Sequence, residues 1–423
     1  MKKRSLRLIL SNKKGRISIA QEFEATGMEA GSFFRLKPEE LIRLPAGSRL
    51  FMLPKRSPVG YDGRKNRYVT LEDNFAVAAF LPPGYTGTFT SSYIEQVGLK
   101  PLPLYAYTAV SMYRSELYAA AIHIDRDRRH DSRFIDISLV RKNVHKLKRL
   151  FPDNRLIRHL EACALAYGCC GAQNFFLQRY EGPLPSSPFC NARCIGCISY
   201  QALKRCPESQ PRIKFVPTPK EVSDIALFHI ANVKNTVVSF GQGCDGEPLL
   251  AGDCIEKSVR LIRRETSRGV ININTNASRP DVIKRLFDAG IDSIRVSLNS
   301  ARPEYYRRYY KPVGYDFGDV MRSIDMAKRC DGFVSINYLT MPGFTDSADE
   351  FRAFNKLIGD RKIDMIQWRN LNFDPILYFR ELKLRLPGQG QMGIRTVIES
   401  LRRRYPRLLM GYFNPREAVF RHR

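Results

Sequence analysis

No stretch of this 423-residue chain approaches the run of about 18 apolar residues that a membrane-spanning helix needs, so the sequence reads as that of a globular protein. Negative charge is scarce as well. Asp and Glu total 42 against 69 Lys and Arg, a formal charge of +27 with a pI near 9.8. That surplus implies attraction to something anionic, such as RNA, DNA, an acidic lipid surface or a phosphorylated substrate, and its plain alternative is a solvated basic surface. A secretory leader is not expected either: Met1-Lys2-Lys3-Arg4 is followed only by Leu6 to Leu10, broken by Arg7, and then by polar Ser11-Asn12-Lys13-Lys14. The expected compartment is therefore cytoplasmic. In a reducing cytosol the ten cysteines are expected as metal ligands or catalysts where they cluster, and not as disulfides.

Internal repeats and low-complexity tracts are absent too, so the parse rests on changes in pattern. Residues 1–182 carry short apolar runs, among them Tyr68 to Leu71, Phe75 to Leu81 and Leu117 to Ile124, separated by turns such as Pro82-Pro83-Gly84. These predict a mostly β accessory region up to about Asn143. A helix follows over Asn154 to Tyr167, with Asp153 or Asn154 to cap it and Gly168 to end it. Residues 183–380 open with a Pro-rich lead and then alternate β-branched runs with amphipathic segments. Strands are expected at Thr236 to Phe240, Gly269 to Thr275, Ser293 to Leu298, Phe333 to Leu339 and Asp364 to Arg369. Helices are expected at Asp253 to Arg268, Asp281 to Ala289 (closed by Gly290) and Phe317 to Arg329. The fold class is α/β, a partial barrel of about six βα units resembling a TIM barrel, behind an N-terminal mostly β region. Residues 381–423 read as a basic C-terminal extension with a helix at Gly393 to Arg404 and a last strand at Leu408 to Phe413.

Just ahead of the βα repeats stands Phe189-Cys190-Asn191-Ala192-Arg193-Cys194-Ile195-Gly196-Cys197, three cysteines at C-x3-C-x2-C spacing. A loop of this size can wrap one face of an iron–sulfur cube, supplying thiolates to three irons and leaving the fourth open. An open iron can bind a second molecule and pass it an electron, whereas four protein ligands would close the site. The rival reading is a zinc site completed by Cys206 or a histidine.

The spacing resembles the defining motif of the radical S-adenosylmethionine (SAM) superfamily. That resemblance implies a [4Fe–4S] cluster on Cys190, Cys194 and Cys197, with SAM chelating the open iron. Reductive cleavage of SAM would then give a 5′-deoxyadenosyl radical that abstracts hydrogen from a substrate. It also implies an electron donor such as flavodoxin or ferredoxin. Further segments are similar to the family's in order and spacing, from Cys190 to Asp374. Gly241-Gln242-Gly243-Cys244-Asp245-Gly246-Glu247-Pro248 resembles the Gly-Gly-Glu turn after the second strand, placing Gly243, Gly246 and Glu247 at the amino group of SAM. A phosphate loop is its rival, but no Gly-Lys-Ser/Thr follows. Ile271 to Asn276 and Ile294 to Ser300 resemble the third and fourth strands, which makes Asn276, Ser297 and Asn299 candidates for the ribose and carboxylate of SAM. Strand-end turn caps are the alternative for each. Ile366 to Leu371 resembles the sixth strand, with Arg369 either on the SAM carboxylate or buried as a structural cation. Two departures stand out: Asp245 replaces the first glycine of the Gly-Gly pair, and Gly196 stands where the family usually has an aromatic beside adenine.

Of the other cysteines, Cys163, Cys169, Cys170 and Cys206 could form a further ligand set, but adjacent cysteines fit one metal poorly, and burial is expected. Cys244 is the candidate catalytic residue, a hydrogen donor or radical acceptor inside the glycine-rich turn. Two functions follow: a radical SAM enzyme acting on an RNA or peptide substrate, or a basic RNA-binding protein with a structural metal site. Tyr305-Tyr306-Arg307-Arg308-Tyr309-Tyr310-Lys311 reads as a base-stacking surface or as an amphipathic helix with a wet basic face.

Overall fold

The structure is a computed structural model, and it describes residues 6–201, 206–384 and 391–421. Met1 to Arg4, at the head of the segment read as lacking a leader, lie outside the described residues. Among the described residues, no helix is long and apolar enough to cross a membrane.

Seven parallel strands form the chemical half of the molecule, hydrogen-bonded in chain order: β1 (Glu181–Leu184), β2 (Val237–Phe240), β3 (Val270–Thr275), β4 (Ser293–Leu298), β5 (Phe333–Thr340), β6 (Met365–Asn370) and β7 (Leu409–Gly411). Consecutive parallel order with a helix in each crossover is the partial TIM-like barrel expected. The helices that matter below are α1 (Ile137–Leu150), α2 (Arg155–Leu165), α3 (Cys170–Phe176), α4 (Pro219–Asn232), α5 (Gly252–Glu265), α6 (Pro280–Ala289) and α7 (Pro303–Tyr310). Local chemistry sets their ends. Asn154 caps α2 by accepting from Leu156 N, Thr218 and Glu221 form a capping box on α4, and Gly290 closes α6 at φ 113°. Their apolar faces and the strands between them share one large core.

Among the described residues no pairing closes β7 onto β1. Instead Asn414, just past β7, spans the opening: its amide donates to Glu181 Oε1 at 2.8 Å and Ser239 Oγ at 3.2 Å, and accepts from Gln367 Nε2 at 2.9 Å. The residues read as a separate C-terminal extension thus contribute a strand to the barrel sheet, and a boundary after residue 182 falls within β1.

The N-terminal region is an antiparallel sheet whose strands run between Arg7 and His123. It ends earlier than Asn143, because Asp136 caps α1 by accepting from Ser138 N and Leu139 N. This sheet packs on the C-terminal end of β6 and the segment that follows it. Thr86 Oγ1 donates to the Trp368 carbonyl at 2.8 Å, Gly87 N donates to Asn370 Oδ1 at 2.8 Å, and Arg56 forms a buried ion pair with Asp374 at 2.9 Å.

Candidate functional site at the strand exits

The cysteine loop rests on α7. Arg193 N donates to the Tyr310 carbonyl at 2.8 Å and Ile195 N to the Tyr309 carbonyl at 3.1 Å, while the ring hydroxyl of Tyr309 lies 2.8 Å from where a Cβ on Gly196 would stand. Tyr306, Tyr309 and Tyr310 are buried, so the base-stacking reading of this segment does not hold for them: Tyr306 and Tyr310 stack on each other, Tyr309 meets Tyr310 edge-on, and the three form a packed bed under the loop. The same contact accounts for Gly196, since a larger side chain would collide with Tyr309.

From its other side the loop is gripped by the turn after β2. Gly246 N donates to Ser187 O at 2.6 Å and Glu247 N to Phe189 O at 2.7 Å; a Cβ on Gly246 would sit 2.0 Å from the Phe189 carbonyl, so only glycine fits. Asp245, the departure from the expected glycine pair, is buried and accepts from Ser186 N at 3.0 Å and Ser187 N at 2.6 Å. Its carboxylate fastens the strand exit of β1 to the turn, and burial pushes it up to about 6. A Cβ on Gly243 would meet Ile198 Cδ1 at 2.7 Å and Gln210 Nε2 at 2.8 Å.

Glu247 is 4% exposed. It accepts from Thr275 Oγ1, from Asn276 N at 2.8 Å and from Leu249 N at 3.1 Å, and burial raises it to about 7. Asn276 in turn donates from Nδ2 to Asn191 Oδ1 at 2.8 Å, which ties the end of β3 to the residue after Cys190. Cys190, Cys194, Cys197, Gly243, Gly246, Glu247 and Asn276 therefore form one connected unit. Ser297 accepts from Asn337 Nδ2 at 3.3 Å, and Asn299, fully buried, donates to the Tyr378 hydroxyl at 3.2 Å and leaves its Oδ1 without a partner. Arg369 donates to the Tyr412 carbonyl at 3.0 Å and lies over the Tyr412 ring at 4.2 Å. Cys244 is buried and its thiol contacts α2, with His159 Nε2 at 3.2 Å.

The three loop cysteines are free and half-buried. Burial and the neighbouring Glu247 push the Cys190 thiol up to about 11; burial and the other two loop sulfurs raise Cys194 as well. Among the described residues the only set of three His, Cys or acidic ligand atoms within 4.8 Å of one another is elsewhere, so these sulfurs are spread more widely than ligands of a single ion. A cube with one iron per thiolate suits that spread, and its iron charge offsets the burial and the neighbouring negative charge that raise Cys190 and Cys194. Arg212, which no local motif announces, donates to Cys197 Sγ at 3.6 Å and to Ser199 Oγ at 3.3 Å, placing a cation beside the anionic ligand set. The donors present fit a [4Fe–4S] cluster.

A partial parallel barrel with a three-thiolate loop and a buried carboxylate at its strand exits is the architecture of an iron–sulfur enzyme with an open coordination position. Residues 184–354 match the model of the Radical SAM superfamily. Enzymes of that superfamily use a [4Fe–4S] cluster and SAM. The chain is 24% identical over 178 residues to the FeMo cofactor biosynthesis protein NifB of Klebsiella pneumoniae, covering 39% of this chain and 38% of NifB. It is 28% identical over 178 residues to the GTP 3′,8-cyclase of Alkaliphilus oremlandii, covering 42% and 51%. It thus spans about half or less of these relatives. A solved methylornithine synthase superposes with a TM-score of 0.39 at 15% identity, covering 64% of this chain and 78% of that one.

Proposed function

We propose that this chain reductively cleaves SAM at a [4Fe–4S] cluster held by Cys190, Cys194 and Cys197, and uses the resulting radical on an RNA substrate. The observation that carries the reading is the single unit formed by the cysteine loop, Glu247 and Asn276, joined through the Asn276–Asn191 hydrogen bond of 2.8 Å. When bound, cluster and SAM supply the radical chemistry; the chain binds and orients. Glu247, with Gly243 and Gly246 allowing close backbone approach, takes the ammonium of SAM, and Asn276, Ser297, Asn299 and Arg369 take its ribose and carboxylate. The polyanionic substrate is supported by the formal charge of +27, which would draw in RNA ahead of a peptide. A flavodoxin or ferredoxin supplies the electron, and the work is cytoplasmic.

Anaerobic reconstitution with iron and sulfide should give a brown protein that makes 5′-deoxyadenosine from SAM and reductant. The Cys190/Cys194/Cys197 triple Ala variant should make none, and cleavage that survived in it would sink the assignment. RNA that co-purifies at low salt and is released at high salt is the expected substrate signature; a bound peptide insensitive to salt would overturn the RNA part alone.

A further inference from the structure

Outside the cluster loop, a second group of ligand atoms comes together. His159 and Cys163 lie one turn apart on α2 and so share a face. Cys244, in the turn after β2, meets them from the opposite side. His159 Nε2 is 3.2 Å from Cys244 Sγ and 3.6 Å from Cys163 Sγ, and all three ligand atoms lie within 4.8 Å of one another. Both cysteines are 3% exposed, and neither is in a disulfide.

We propose that His159, Cys163 and Cys244 bind a single zinc ion, with Cys169 as the fourth ligand. Zn–S bonds of about 2.3 Å and Zn–N bonds of about 2.0 Å give a tetrahedron with edges of roughly 3.5 Å, close to the separations seen between the imidazole and the two thiols. A cube, which spreads its ligands over several irons, does not suit a set this tight. The mixed imidazole and thiolate set is one that zinc takes in structural sites. Cys169 is the candidate for the fourth position: its N–H donates to the Cys163 carbonyl at 2.9 Å, which holds the residue beside α2, and its sulfur, outside the set that lies within 4.8 Å, would swing in to close the tetrahedron.

The position gives the ion a job. Cys244 immediately precedes Asp245, which fastens residues 186 and 187, and stands three residues before Glu247. Zinc would pin the glycine-rich turn to α2 from behind, leaving its front to the cysteine loop. Cys244 is then a structural ligand, and the radical is quenched or relayed elsewhere.

The test uses the full chain carrying the Cys190/Cys194/Cys197 triple Ala change, so that no cluster contributes metal and the result is independent of SAM cleavage. That protein should purify with one zinc per chain by elemental analysis. After chelation it should bind one equivalent of cobalt, with the visible spectrum of a tetrahedral thiolate site. Adding Cys163→Ser and Cys244→Ser should abolish both signals, and Cys169→Ser should weaken cobalt binding at least tenfold. A triple Ala protein that holds no zinc and binds no cobalt overturns the site, as does zinc retained after loss of Cys163 and Cys244, or a Cys163–Cys244 disulfide in anaerobically purified protein. Unchanged cobalt affinity in Cys169→Ser overturns the fourth ligand.

Discussion

The glycines of the turn after β2 differ in what surrounds them, and the difference sets an order of effects. A methyl group on Gly246 would be driven onto the Phe189 carbonyl, 2.0 Å away, and the Ser187 carbonyl, 3.0 Å away, both backbone groups of the segment that leads into Cys190. Neither can rotate aside. A methyl on Gly243 would meet only the far ends of the Ile198 and Gln210 side chains, which can move. Gly246→Ala should therefore destabilise by about 1 to 3 kcal/mol, as overpacking does, and should lower iron incorporation by displacing the loop. Gly243→Ala should fall well below it on both counts. Thermal melts and iron content of the two variants check this, and equal effects would show that the loop does not depend on the close approach at Gly246.

Between elements, one contact stands out for burial: the Arg56–Asp374 pair, with side chains 3% and 1% exposed, joins the N-terminal sheet to the segment after β6. Asp374 also accepts from Leu102 N at 3.0 Å. Removing the carboxylate leaves a guanidinium in a dry interface, a loss of about 3 to 5 kcal/mol. Lys356–Asp360, at 76% and 48% exposure, should cost under about 1 kcal/mol when broken. Denaturant melts of Asp374→Ala, Asp360→Ala and the Arg56→Ala/Asp374→Ala double variant should show the first far below the second, with the double variant less impaired than the sum of its single changes. Neither partner of Asp374 was legible in the sequence, because residues 318 and 272 apart carry no local pattern. What was legible is what short-range chemistry decides. Ser293–Leu298 and Phe317–Arg329 appear with the expected ends, since β-branched alternation and an Asp316 capping box act within a few residues. β1 was missed because Gly182-Pro183 reads as a turn; Pro183 is tolerated there on an edge strand, and Gly182 lets the ring of His229 approach within 2.8 Å of its missing Cβ. The cysteine loop and Glu247 were legible by motif. Arg212, Asn191 and the tyrosine bed were not, since each acts through a fold that brings separate segments together.

For the molecule as a whole, the two halves meet over carboxyls that should leave a mark on its pH dependence. Glu29, 4% exposed in the N-terminal sheet, is raised well above the carboxylate range by burial, by Asp346 after β5 and by Glu40. The folded state thus favours its protonated form. Stability from that proton is fully present below the ordinary value of 4.5 and is lost as pH rises toward the folded value, because the unfolded chain releases the proton first. On the acid side His229 and His130 act in the opposite sense. Burial lowers them to about 4 and about 3, so stability held above their ordinary 6.5 is lost as pH falls through that window. Stability should therefore peak between these limbs. Glu29→Gln keeps the neutral shape and removes the titration, so its melting temperature should match the wild type near pH 5 and exceed it by a margin that widens toward about pH 9. Melts of both proteins across that range decide the matter: parallel curves would mean that Glu29 is ionised at the interface and that the contact between the sheet and the barrel does not depend on its proton.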